Sequence, residues 1–149
     1  MRSPKFDAII DSVLKAEGYW TEDPTDPGGL TIWGICARDW ESDVIKMKVM
    51  SQADSREYAK DFYFREYWTP LKVEDLDVHL SYALLDGAVN QGVNLMATWA
   101  RGLGSEITLD KIIAWRMCRY VEKIEQYPKL ERYCFAWMQR LKELYRWSL

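Results

Sequence analysis

The sequence predicts a mainly α fold: a helical single domain with one small β-hairpin or turn after the first helix. Three observations predict it. Apolar residues recur at helical spacing along most of the chain. One stretch, residues 21–31, breaks that pattern with Asp23-Pro24, Asp26-Pro27 and Gly28-Gly29, which suit a tight turn and not a helix. The length of 149 residues, 48% of them apolar, is enough for one core. The domain spans 1–149, with the turn-rich segment in 1–70 and helices alone in 71–149. No repeat, low-complexity tract or linker divides it.

Each element has its own signal. Ser3 is a candidate N-cap and Pro4 a tolerated first-turn proline. Phe6, Ile9, Ile10, Val13 and Leu14 follow with helical spacing, Glu17 extends the same stripe, and Gly18 is a stop. The next helix runs from about Ala37 to Val49, where Ile45, Met47 and Val49 alternate. Ser51 to Ser55 reads as a break with capping candidates. A helix bearing Tyr58, Phe62, Arg65 and Tyr67-Trp68 follows, ended by Pro70, with a connector at 75–77. Another begins at Leu80 and runs into Asp86-Gly87-Ala88-Val89-Asn90-Gln91-Gly92. An apolar segment at 95–99 is closed by Gly102-Leu103-Gly104. Residues 108–126 fit a long helix with Ile112, Ile113, Trp115, Met117 and Tyr120 inside it. After Pro128 comes a last helix with Tyr133, Phe135, Trp137, Met138, Leu141 and Leu144.

Composition narrows the function. The net charge of -3 and the lack of a basic block argue against nucleic acid. Cys36, Cys118 and Cys134 are odd in number and match no metal spacing, so they read as reduced packing residues. His79 is the one histidine, with no Ser or Cys partner motif. That argues against a nucleophile triad or a zinc site, and no metal or cofactor is expected. Met1-Arg2-Ser3-Pro4-Lys5 leads into an amphipathic helix instead of a signal-peptide core, and no apolar run approaches a membrane span. A monomer without stable membrane insertion is expected.

Glu17 is the residue most suggestive of chemistry. It stands at the apolar edge of a helix C-terminus, where partial desolvation and the negative end of the dipole both disfavour a charge. A carboxyl so placed can donate a proton to a leaving oxygen while a second, wetter acid stays ionised, the division of labour that breaks a glycosidic bond. Asp26 is the candidate second acid, with Asp23 competing; either can instead be an ordinary turn residue. Thr31 is placed to orient a water, or is a β-branched strand residue. Tyr19, Trp20 and Trp33 either line a sugar groove or pack in the core. Asp86 and Asn90, four apart, share a helix face, either as substrate contacts or in a local hydrogen-bonded arrangement. Arg65 and Glu66 read as a structural pair.

From Glu17 to Ile35 the sequence resembles the glycoside hydrolase family 108 muramidases, which include phage endolysins. Glu17-Gly18, Trp20, Asp23-Pro24, Asp26, Gly28-Gly29, Thr31 and Gly34-Ile35 fall on that family's signature without a gap, with Tyr19 where the family has Gly. Tyr63-Phe64-Arg65-Glu66-Tyr67-Trp68-Thr69-Pro70, Asp86 to Gly92, and Phe135 to Arg140 are similar to its later segments, with Thr69 replacing an Asp and Ala136 a Gly.

The resemblance implies a lysozyme-like fold. It also implies hydrolysis of the β-1,4 bond between N-acetylmuramic acid and N-acetylglucosamine, with Glu17 as the catalytic residue. The C-terminal helices are similar to the family's predicted peptidoglycan-binding region. Glycan strands are then the partner, and synthesis in a host cytoplasm with holin-type release to the wall the expected route. The spacing of Glu17, Asp26 and Thr31 is also similar to that of T4-type phage lysozymes. The rival readings are a lytic transglycosylase, a catalytically silent wall-binding module and a generic helical interaction domain.

Overall fold

A computed structural model describes residues 1–22 and 29–147, and the chain divides into two compact units, Met1–Thr69 and Pro70–Leu149. The N-terminal unit begins with helix α1 (Pro4–Glu17). Ser3 Oγ accepts from the Phe6 N–H at 3.1 Å, and Pro4 occupies the first turn, where no amide partner is needed. Phe6, Ile9, Ile10, Val13 and Leu14 are wholly buried. Gly18, at φ 78°, ends the helix and donates its N–H to Leu14 O at 3.1 Å.

A small antiparallel sheet follows, in the order β1 (Trp20–Thr21), β2 (Thr31–Ile32), β3 (Ile35–Cys36). Trp20 pairs with Ile32 and Thr21 with Thr31; Thr31 pairs with Cys36 and Ile32 with Ile35. The two residues between β2 and β3, Trp33 and Gly34, have φ of 52° and 78°. Positive φ at both central residues is the tight hairpin geometry that matches strand twist.

Helix α2 (Ala37–Lys48) bends at Trp40, whose φ and ψ are -139° and 48°. The Trp40 ring meets Phe62 edge-on at 4.8 Å. The alternation at its end resolves by burial: Met47 faces inward while Ile45 and Val49 are exposed. Helix α3 (Gln52–Tyr63) starts earlier than expected. Ser51 caps it through a bond from the Asp54 N–H at 3.1 Å, so Ser55 lies inside the helix and not in a break. A π-helical turn, Phe64–Trp68, continues α3 and passes into α4 (Thr69–Leu71).

Pro70 therefore does not end the helix at its own position. The wide turn closes with a bond from the Thr69 N–H to Phe64 O, and the missing Pro70 N–H breaks none of it. Phe6 from α1 packs edge-on against Phe64 and Trp68, with ring centroids 5.1 and 5.4 Å away.

The C-terminal unit is helical: α5 (Val78–Gln91), α6 (Val93–Leu103), α7 (Leu109–Gln126) and α8 (Cys134–Trp147), with 3-10 turns at Gly104–Glu106 and Pro128–Tyr133. Asp77 caps α5 by accepting from the His79 and Leu80 N–H groups, which starts the helix at Val78, two residues before Leu80. Residues 81–88 of α5 are all buried. Gly87 allows close approach: a Cβ there would collide with Met96 Cε of α6.

An ion network threads this core. Asp86, 1% exposed, accepts from Arg116 Nη1 at 2.7 Å and from Arg140 Nε at 2.9 Å. Arg116 donates to the Tyr120 hydroxyl at 3.1 Å, which in turn donates to Asn90 Oδ1 at 2.6 Å. Burial alone pushes the Asp86 carboxyl up, but the Arg140 and Arg116 charges and hydrogen bonds outweigh it and hold it below its ordinary value. Cys118 of α7 is exposed and not a packing residue, and Met117 beside it and Phe135 of α8 also face solvent. Among the described residues no helix is long and apolar enough to cross a membrane.

Candidate active site

Glu17 is the last residue of α1, and its side chain is half-buried, with Oε1 shielded from solvent. The hairpin turn presses on it. A Cβ on Gly34 would sit 2.8 Å from Glu17 Cγ, 2.9 Å from Glu17 Cβ and 2.7 Å from the Tyr63 hydroxyl oxygen. Real Cβ atoms do not approach that closely, and the φ of 78° independently favours glycine there. The backbone of the turn therefore forms one wall against the stem of the acid.

The turn itself is held from several sides. The Tyr63 hydroxyl, at the end of α3, donates to the Trp33 carbonyl at 2.9 Å. The Trp33 N–H donates to Tyr19 O at 2.8 Å. Trp33 Nε1 donates to Ser55 Oγ at 3.0 Å, and that hydroxyl donates to Gln52 O at 3.0 Å. A tryptophan at φ 52° is strained backbone, and these bonds over-determine it. Tyr67 packs on Tyr63 with centroids 5.1 Å apart. Burial first, then the neighbouring Glu17, Asp39 and Glu66 carboxyl groups, push the Tyr67 phenol up, so it stays neutral.

The other sequence candidates separate into groups. Thr31 is half-buried on β2, opposite Thr21 and Cys36. Trp20 on β1 is 40% exposed, while Tyr19 is half-buried and touches both Trp20 and Trp33, at 6.0 and 4.9 Å. Trp33 is 8% exposed, so its indole packs and leaves little face for a sugar. Asp26 and its competitor Asp23 lie outside the described residues. Asp86 and Asn90 belong to the buried network of the C-terminal unit, where Arg116, Arg140 and Tyr120 engage them. That is the local hydrogen-bonded alternative, and it withdraws the Asp86 carboxylate from solvent. Arg65 pairs with Glu66, and His79 is exposed beside Trp147.

Sequence reasoning missed Gly34, Ser55, Tyr63 and Tyr67 as parts of this site. A Trp-Gly pair between two isoleucines is a readable two-residue turn. Nothing local ties Tyr63, 46 positions from Glu17, to it.

A helical fold with a three-stranded hairpin sheet after α1, and a half-buried acid at the end of that helix, is a lysozyme-like architecture. Residues 10–92 match the family model described as Glycosyl hydrolase 108. The chain belongs to this glycosyl hydrolase family, which makes it a glycoside hydrolase and supports action on peptidoglycan. The matched span holds Glu17, Thr31, the Trp33-Gly34 turn and Tyr63, and ends before the segment Phe135 to Arg140.

The structure of Brucella abortus SagA shares the fold, with a TM-score of 0.70 and 21% sequence identity over 93% of this chain and 90% of that one. No curated protein matches the chain.

Proposed function

We propose that the chain is an N-acetylmuramidase that cuts the β-1,4 bond between N-acetylmuramic acid and N-acetylglucosamine, with Glu17 as general acid. One observation carries this reading. The acid stands at the end of α1 with one oxygen shielded from water, backed by the Gly34 turn, inside the span matched to a glycoside hydrolase family.

In the proposed step the Glu17 carboxyl donates its proton to the glycosidic oxygen as the bond to the muramic acid anomeric carbon breaks. The developing oxocarbenium charge is met by Asp26, proposed as the second carboxylate. Thr31, on the strand that carries the turn, is proposed to orient the water that attacks the anomeric carbon. Trp20, the exposed aromatic of β1, offers its ring to the sugar chain, with the Tyr19 ring tilted against it. An endolysin role, with release to the wall by a holin-type pore, belongs to the same proposal and rests on the resemblance to phage-encoded family members.

Digestion of purified sacculi, followed by mass spectrometry of the fragments, tests it. Reducing muramic acid ends support hydrolysis. Anhydro ends would assign a lytic transglycosylase, and binding without any cut would leave only a wall-binding module.

A further inference from the structure

We propose that Tyr63 is a positioning residue for the acid: its hydroxyl fixes the Trp33-Gly34 turn, and the turn fixes the Glu17 side chain. The inference rests on the reading of Glu17 as the catalytic acid. Two contacts and the backbone shape of the turn make the link. The Tyr63 O–H donates to Trp33 O at 2.9 Å in a buried bond. The next residue, Gly34, leaves no room for a Cβ against Glu17 Cγ or the Tyr63 oxygen. Both turn residues are in the left-handed region, so the turn has few alternative shapes that keep it in the sheet.

Removing the hydroxyl deprives a strained carbonyl of its buried donor. The turn, relieved of that bond, is free to shift against the Glu17 side chain it packs on. Ser55 acts one step further out. It is fully buried and receives the indole N–H of Trp33, so it holds the side chain of the residue whose backbone Tyr63 holds. A general acid must meet its proton acceptor within hydrogen-bond reach, and small misplacements are costly to the chemical step while ground-state binding is spared.

The test compares Tyr63→Phe with Tyr58→Phe. Tyr58 is a tyrosine of the same helix whose hydroxyl donates to Asp43 at 2.8 Å, away from the turn. Tyr63→Phe keeps the ring packing against Phe62 and Tyr67. Turnover is measured on soluble glycan strands, and the Glu17 side-chain carbon signals are followed by NMR with labelled glutamate.

Tyr63→Phe is expected to lower kcat about 10-fold or more, with KM held within about 3-fold, and to move the Glu17 Cγ signal. Ser55→Ala is expected to move the same signal less, and Tyr58→Phe to leave both readouts at wild-type values. Should Tyr63→Phe match Tyr58→Phe in kcat, or leave the Glu17 signal in place, the positioning role is overturned. Wild-type turnover by Glu17→Gln in the same assay would instead remove the acid reading, and the positioning role of Tyr63 with it. Inactive Glu17→Gln beside normal Tyr63→Phe would sink the positioning role alone.

Discussion

Gly34 lies against Glu17 so closely that a methyl group on the glycine would stand 2.8 Å from the glutamate Cγ. The contact joins the end of the first helix to the tip of the hairpin, and both the space and the φ of 78° demand glycine. Gly34→Ala is expected to cost about 1–3 kcal/mol of stability, from left-handed strain and the forced shift of Glu17. It is expected to lower turnover about 10-fold or more in protein that is still folded. Urea unfolding and glycan-strand turnover on the same preparation check both parts. A variant as stable and active as wild type would mean the turn places nothing on the acid.

Ser3→Ala removes the one side-chain cap of α1, the helix that carries Glu17. Loss of about 1 kcal/mol is expected, as for other N-cap deletions. Thermal unfolding reads it, and the helix end at Glu17 is expected to keep its activity because the cap acts at the other terminus.

The buried network predicts a larger effect in the C-terminal unit. Asp86→Ala leaves Arg116, fully buried, without its carboxylate, and a loss of about 3–5 kcal/mol is expected. Chemical denaturation measures it. A loss below about 1 kcal/mol, the range of an exposed pair, would show that water reaches the arginine.

The same network sets a pH dependence. The Asp86 carboxyl is held below its ordinary value of 3.8, so the folded state favours its ionised form. Its contribution is complete above that value and is lost as pH falls through the lower, folded-state value. Tyr82 works at the other end of the scale. Burial, then the Asp86 charge, push its phenol from 10.0 up to about 12. The neutral ring stabilises the fold fully below pH 10, and that contribution is lost as pH rises from 10 to about 12. Stability against pH for wild type and Tyr82→Phe tests this: the variant is expected to lose the decline attributed to the phenol.

Local signals in the sequence carried much of the architecture. Ser3, Pro4, the apolar stripe and Gly18 bound α1 because each acts within one turn of the helix. A small β excursion after α1 was legible from the break in helical spacing, and the position of Glu17 at the helix end from the stripe, while the Trp33-Gly34 turn was not singled out and residues 23–28 lie outside the described residues. The start of α5 at Val78, two residues before Leu80, is set by the Asp77 cap, which apolar spacing alone does not register. The extension of helix through Pro70 was illegible, since it depends on a wide turn closed from Thr69 back to Phe64. The fate of Asp86 was equally hidden, because its partners stand 30 and 54 positions away. Tyr63, 46 positions from Glu17, was hidden for the same reason: it meets the turn beside the acid through packing, which a spacing rule does not register.

The most direct measurement is the digestion of purified sacculi by wild type and by Glu17→Gln, with both proteins shown to be folded by circular dichroism. Wild type is expected to release fragments ending in reducing muramic acid, and Glu17→Gln to release none. Fragment release by Glu17→Gln at a rate near that of wild type would contradict the account.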